Sequence, residues 1–336
     1  MDTFPCVTIT DYLSFDERQV KCQEEECLNV AYGVDKNYLV GVGVSITSLL
    51  INNKSINFSF HIIADEYDEN YPDKIKKLAV KYNAKISMYK IESEKLKVLP
   101  STKIWSHAMY FRLFAFDAFS NRFDRLLYLD ADVICKGSLK ELVTLDLNSY
   151  AAAVVPDVES MQDKAVERLH DKKYQGYYFN SGVVLANLSV WKQDRLTQKA
   201  LDILCNTSYK YPDQDVLNVL LSGKLHYLPR KFNTIYTLKS ELKDRTHQDY
   251  SSLINDETIL IHYTGVTKPW HQWACYPSVR FYDYALRESP WKDLPRKSAT
   301  SMMEFKKQYK HMLIQGRYLK GIICGIEYGY RKYLRR

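Results

Sequence analysis

The stretch Leu126-Leu127-Tyr128-Leu129-Asp130-Ala131-Asp132 constrains this chain more than any other. Four apolar residues lead into two carboxylates spaced i, i+2. A buried strand ending in Asp-x-Asp sets both acids beyond its carboxyl end, on one side, because strand side chains alternate. Two acids so close repel one another unless a positive charge lies between them. A hard divalent cation suits that place, and such a cation usually accompanies a substrate phosphate. A rival class uses a similar string. Phosphotransferases with an aspartyl nucleophile end a strand in Asp-x-Asp-x-Thr/Val, and Val133 fits. They carry it on an early strand and need a later lysine and a paired acidic motif. Here the motif falls on about the fourth strand, with no convincing acidic pair downstream.

Around this run strands alternate with helices. Strands are expected over 28–34, 58–63, 85–89, 151–155, 182–188 and 258–263, and helices over 42–50, 73–82, 109–119, 189–204 and 215–221. That order predicts an α/β fold, a mostly parallel sheet with helices on both faces and ligands at the carboxyl ends of strands. Asp35, Asp65, Asp130, Asp132, Asp157 and His262 all fall at or just after a strand end, where Asp also serves turns. Residues 1–27 are polar and irregular and read as a loose arm.

Four further strings carry side chains suited to a phosphorylated sugar. In Ile261-His262-Tyr263-Thr264-Gly265-Val266-Thr267-Lys268, the histidine can join two carboxylates around a manganese-like ion, or can be structural. Lys268 can then neutralise a diphosphate as a point charge. Gly33-Val34-Asp35-Lys36-Asn37-Tyr38 offers an acceptor, an amide and a stacking face, enough to read a nucleobase or to form a polar turn. Asn180, Asp213 and Gln214 have side chains that pair with sugar hydroxyls, though Asp213 also suits a helix first turn. No Gly-x-Gly-x-x-Gly or Walker-type loop is present, which disfavours dinucleotides and ATP.

The remaining features set the surroundings. From Lys297 onward there are ten Lys/Arg and two acids, so the net +7 of the chain belongs to its tail and the rest sums to about −1. With no nucleic-acid motif and charge confined to the tail, nucleic-acid binding is disfavoured. In the tail Tyr309, Met312, Leu313, Tyr318, Ile322, Ile323, Ile326 and Tyr330 interleave with Lys and Arg. Such a segment can lie on anionic lipid, or pack on the core as a solvated helix. No run approaches the roughly 18 apolar residues of a membrane span. The start MDTFPCVTITDYLSFDE lacks the basic region of a secretory signal. The seven cysteines are scattered; Cys22 and Cys27 have no second pair at zinc spacing, and free thiols in a reducing cytosol are expected.

Taken in order, the strings AYGVDKNYL, RLLYLDADVICKGSL, YFNSGVV, DQDVLN and HYTGVTKPWH resemble glycosyltransferase family 8, the retaining nucleotide-sugar transferases of the GT-A fold. Within it they are similar to bacterial lipopolysaccharide core glucosyl- and galactosyltransferases. The resemblance implies a GT-A catalytic domain over 28–275, after an arm over 1–27 and before a basic helical region over 276–336. It implies that Asp35, Asn37 and Tyr38 hold uracil, and that Asp130, Asp132 and His262 bind Mn2+ or Mg2+. Gly265 and Lys268 would hold the diphosphate. Arg112 would approach the donor sugar or diphosphate. Asn180, Asp213 and Gln214 would surround the sugar, with Asp157 on the acceptor side. The implied reaction is retaining, α-1,2 transfer of glucose from UDP-glucose to a lipopolysaccharide outer-core sugar, with UDP-galactose as the alternative donor. It implies a cytoplasmic enzyme, peripheral on the inner membrane through its basic tail.

Overall fold

The protein is described by a computed structural model covering residues 7–19, 27–100 and 106–334. Cys22 lies outside the described residues, Cys27 Sγ accepts from Arg18 Nη1 at 3.2 Å, and Cys135, Cys205, Cys275 and Cys324 are free thiols. The strands are β1 Thr8–Asp16, β2 Leu28–Val34, β3 Phe58–Ala64, β4 Lys85–Glu92, β5 Arg125–Leu129, β6 Val133–Cys135, β7 Ala152–Pro156, β8 Phe179–Asn187, β9 Leu225–Tyr227, β10 Thr234–Thr237 and β11 Leu260–Thr264. Eight of them form one sheet in the order β1-β4-β3-β2-β5-β8-β7-β9. Its centre, β4 to β5, is parallel, and β8 enters antiparallel to both of its neighbours.

β2 and β3 are apolar almost throughout because helices cover both faces of the sheet. Side chains alternate between two cores. Val30, Tyr32, Phe60, Ile62, Leu127 and Leu129 meet the helices Leu39–Asn52 and Tyr71–Tyr82. Ala31, Ile63, Leu126 and Tyr128 meet the helix Phe111–Phe119 and the helices that follow β8.

The Asp-x-Asp acids are brought together differently from the expectation. β5 stops at Leu129, and Asp130 to Asp132 form a turn, closed by the Val133 N–H on the Asp130 carbonyl at 3.1 Å. Strand alternation therefore does not set their common side. The chain then leaves the main sheet for a second one, ordered β10-β11-β6. There His262 of β11 pairs directly with Val133 of β6, which carries the histidine to the acids.

Two local expectations are corrected. The supposed loose arm contains β1, which pairs with β4 along the sheet edge and turns Leu13 and Phe15 onto the core. Its alternation was hidden by exposed polar neighbours. The single helix expected over 189–204 is two, Leu188–Gln193 and Leu196–Asn206, broken at Arg195 with φ of 52°. The run Lys192-Gln193-Asp194-Arg195 has no apolar residue to hold a continuous face.

The tail is also two helices. Met302–Ile314 starts on a capping box made by Ser301 and Glu304 and buries Phe305, Gln308, His311 and Met312. Tyr318–Tyr333 buries only Gly321. Among the described residues no helix is long and apolar enough to cross a membrane.

Candidate active site

The acids Asp130 and Asp132 sit where a cavity of about 170 Å³ meets one of about 280 Å³. A larger cavity, about 550 Å³, opens at the opposite, amino ends of the strands and contains none of the expected site residues. Ligands of such sheets bind at the carboxyl ends of the strands, where the acids lie.

Asp130, Asp132 and His262 each offer a ligand atom, and these atoms lie within 4.8 Å of one another. His262 Nε2 is 3.2 Å from Asp132 Oδ1 and 3.8 Å from Asp130 Oδ2. Its Nδ1 meets Asn233 Oδ1 at 3.2 Å, while Asn233 donates from its amide to Asn180 Oδ1 at 3.0 Å. That chain fixes the amide's orientation, places the imidazole proton on Nδ1 and leaves Nε2 bare toward the acids. Gly182 gives the cluster its room: a Cβ there would stand 2.3 Å from His262 Cε1 and 2.7 Å from Asp130 Oδ2. Two carboxylates, one oriented imidazole and a side chain withheld beside them fit a hard divalent cation.

Cations of the protein surround the acids. The buried Arg112 donates from Nη2 to Asp130 Oδ1 at 3.0 Å and lies 3.3 Å from Asp213 Oδ2. Its Nη1 donates to the Ser181 carbonyl at 2.5 Å, and its Nε to the Met109 carbonyl at 3.1 Å. Lys268 pairs with Asp132 and donates to the Tyr263 carbonyl at 3.1 Å. Burial works to raise the Asp132 carboxyl, but the Lys268 ammonium beside it outweighs that and holds it well below the usual carboxylate range.

The larger of the two joined cavities continues into a hydrogen-bonded wall. Pro212 opens the helix Pro212–Leu220, which presents Asp213 and Gln214 from its first turn. Gln214 Oε1 accepts from the Ser181 N–H at 3.2 Å and from Asn180 Nδ2 at 3.3 Å, and its Nε2 donates to Asp157 Oδ2 at 3.0 Å. Burial raises the carboxyls of Asp157 and Asp213; beside Asp213, Arg112 opposes and Asp130 reinforces that rise.

The smaller cavity is lined by Gly33, Asp35, Tyr38, Ser106, Met109 and Lys268, among others. Asp35 accepts from the Asn37 N–H at 2.9 Å and from Ser106 Oγ at 2.8 Å. Tyr38 stands edge-on to Trp270, ring centres 5.6 Å apart. Asn37 is exposed and is not among the lining residues. Gly265 lines the larger cavity and takes φ of 91°, turning the chain after β11 toward Lys268. Asp65 lies outside both cavities, accepting from Ser93 Oγ at 3.1 Å.

Reading the sequence missed Asn233, which is fully buried behind His262 and has no local motif to betray it. It also missed Gly182 and Ser181, although both stand inside the string YFNSGVV. The apolar wall of Met109, Val158, Met161 and Ile235 carried no signal at all.

Comparison with known proteins bears on the whole chain. It is 56% identical over 338 residues to a lipopolysaccharide 1,2-glucosyltransferase of Escherichia coli (strain K12), covering 100% of both chains. It is 37% identical to a lipopolysaccharide 1,3-galactosyltransferase of Salmonella typhimurium (strain LT2), covering 96% of each. In fold it matches a crystal structure of the galactosyltransferase LgtC in complex with donor and acceptor sugar analogues, with a TM-score of 0.64 at 22% identity. That match covers 78% of this chain and 96% of that one. The expected GT-A arrangement is thereby met, and the aspartyl-nucleophile class is set aside. A family model described as glycosyl transferase family 8 matches residues 29–274, and its C-terminal companion matches 276–332. The chain, with its acids and histidine gathered between two joined cavities, belongs to glycosyl transferase family 8.

Proposed function

We propose that the chain transfers glucose from UDP-glucose to a sugar of the lipopolysaccharide core, with retention and through a 1,2 linkage. One observation carries this reading. The cavity beside Asp35 and Tyr38 and the amide-lined cavity beside Asn180 and Gln214 share Arg112, Asp130, Asp132 and Lys268. A nucleoside on one side and a sugar on the other put the diphosphate between them, at the acids and the lysine. The 56% identical relative names the sugar and linkage, and the 37% identical one supplies galactose as the second reading.

In this reading Asp35 and Tyr38 receive uracil, and Asp130, Asp132 and His262 hold Mn2+ or Mg2+. A bound divalent cation supplies positive charge to the departing diphosphate. Lys268 neutralises the same group, and a charge set before the reaction needs no reorganisation during it. Arg112 holds Asp130 and Asp213 in place from between them. Asn180, Asp213 and Gln214 meet the sugar hydroxyls, with Asp157 behind Gln214 toward the acceptor. Retention by a covalent route needs a carboxylate opposite UDP. Gln214 is a poor nucleophile, and Asp213 is engaged by Arg112. The acceptor therefore attacks from the leaving-group face, and the UDP phosphate takes its proton. Trapping a glucosyl–Asp213 adduct would overturn this.

The tail brings the enzyme to a lipid-anchored acceptor on the cytoplasmic face of the inner membrane. Leu319, Ile322, Ile323, Ile326, Tyr330 and Tyr333 form one exposed stripe at helical spacing, flanked by Lys320, Arg331 and Lys332. Apolar residues beside cations fit anionic lipid, each cation adding about 1 kcal/mol near the surface. The test of donor and linkage is incubation with a panel of UDP-sugars and truncated core lipopolysaccharide, with manganese or magnesium, and analysis of the linkage formed. A product other than a 1,2-linked glucose rejects the reading.

A further inference from the structure

We propose that the tail helix Met302–Ile314 is a working part of the donor site, with His311 and Glu304 as positioning residues for the loop that carries Lys268. This rests on the reading of Lys268 as a diphosphate ligand. The loop from Gly265 to Trp273 has the cavity on one side and this helix on the other.

The contacts are specific and buried. His311 Nε2 meets Thr267 Oγ1 at 3.2 Å, and its Nδ1 meets the Tyr276 hydroxyl at 2.6 Å. Thr267 also accepts from Trp273 Nε1 at 3.2 Å. His311 and Thr267 are both almost wholly shielded from solvent, so each of these bonds matters more than one at the surface. One residue further on, the Lys268 N–H donates to His271 Nδ1 at 3.1 Å. His271 stacks on Trp273 with ring centres 4.2 Å apart, and its Nε2 faces Glu304 Oε1 at 3.6 Å. Gln315, just past the helix, donates to the Trp273 carbonyl at 2.8 Å. The helix thus grips the backbone and side chains on both sides of Lys268.

The arrangement is more than a cover for apolar surface. A covering helix needs only Phe305 and Met312 against Trp273. Here two imidazoles sit in the seam, and each spends one ring nitrogen on the lysine's own loop, at Thr267 and at the Lys268 N–H. Burial pushes both down, His271 to about 4 and His311 to about 3, so both are neutral near pH 7 and each ring carries one donor and one acceptor. Loss of His311 leaves Thr267 and Tyr276 without their shared partner and lets the Lys268 backbone drift. Because Lys268 meets the donor diphosphate and not the acceptor, the drift falls on donor binding.

The test compares the full-length wild type with His311→Phe and His311→Gln, measuring KM for UDP-glucose and for acceptor, kcat, UDP affinity by calorimetry, and thermal midpoint. The expected result is a fivefold to tenfold rise in donor KM and UDP Kd for His311→Phe, the size of one lost buried hydrogen bond. Acceptor KM stays within twofold, and His311→Gln, whose amide can reach Thr267, regains most of the loss. A folded His311→Phe with wild-type donor KM overturns the proposal. If His311→Phe does not fold, Glu304→Gln decides, because glutamine keeps the capping box while removing the charge before His271. A raised donor KM in that variant supports the proposal, and an unchanged one overturns it. Failure of the wild type itself to bind UDP would instead reject the donor site.

Discussion

The two halves of the site differ in how they handle charge. Around Asp130 and Asp132 the carboxylates are answered by Arg112 and Lys268, with the His262 imidazole beside them, and Asp132 is held ionised. Around Asn180 and Gln214 the contacts are mostly between amides, a backbone N–H and a hydroxyl, and Asp157 is pushed toward its neutral form. The first half is organised to stabilise concentrated charge. The second is organised to match a neutral, hydroxyl-bearing group by direction. A nucleotide sugar has both kinds of group joined by one bond, which is why the halves meet at Arg112.

The sharpest way to break this comparison is to remove charge from the first half. Asp132→Ala leaves Lys268 without its carboxylate and His262 with a single acid, and is expected to lower transfer by about 10³-fold or more, as for other electrostatic groups at a developing charge. Titration of manganese into the variant should show no binding at the wild-type site. Near-normal activity in chelator would remove the cation from the scheme. Gly182→Ala is a subtler probe of the same half. Its added methyl would press on His262 and Asp130 without changing charge, and both are held by other bonds. A drop of about 10²-fold in kcat is expected, in line with the sensitivity of catalysis to small displacements, together with a lowered thermal midpoint, because a methyl forced into a packed site costs about 1–3 kcal/mol.

The second half should respond less. Gln214→Ala removes a side chain that joins Ser181, Asn180 and Asp157, and leaves the buried Asp157 without the shorter of its two amide donors. A loss of about 1–3 kcal/mol is usual for an abandoned buried polar group. That predicts a roughly tenfold to hundredfold fall in kcat/KM for UDP-glucose, with manganese affinity unchanged. A change in manganese affinity would mean that the two halves are not separable.

Which parts of this were legible in the sequence follows from distance along the chain. The strands β2, β3 and β5 announce themselves, because parallel strands covered on both faces are mostly apolar. Asp130 and Asp132 lie within one such signal, and Asp213 and Gln214 within a single helix start. Asn233 was not legible. It acts only because β10 lies beside β11 and brings it behind His262, and no local pattern encodes which strands pair. β1 was missed for another reason: an edge strand needs few apolar residues, and its exposed side chains look like a polar arm. The seam at His311 was hidden because a histidine in a basic amphipathic run reads as one more surface cation. Only the packed helix shows it to be neutral and buried.

The smallest expected effect concerns acid, and it sharpens the comparison by its sign. Asp157 and Asp213 are raised by burial, so in their window just above the unfolded value of about 3.9 the fold holds more protons than the unfolded chain. Their contribution to stability grows as pH falls. Asp132 is lowered, and its contribution is lost as pH falls through its folded value. His271 and His311 are lowered too, but they begin to act far earlier. Their unfolded value is about 6.5, so below that pH the unfolded chain takes up protons that the fold refuses. Stability drains down to about 4 for His271 and about 3 for His311. The groups that tune this are Glu304, which opposes the shift at His271, and Lys268, Lys297 and Lys307, which deepen the pair's shifts. Mild acid should therefore weaken the fold behind the first half, at the seam between the Lys268 loop and the helix Met302–Ile314. Thermal melts between pH 7 and 5 should fall in midpoint by a few degrees for the wild type. The slope should be shallower for His311→Gln, which has one fewer imidazole to protonate on unfolding, and equal slopes would place the acid-sensitive groups elsewhere.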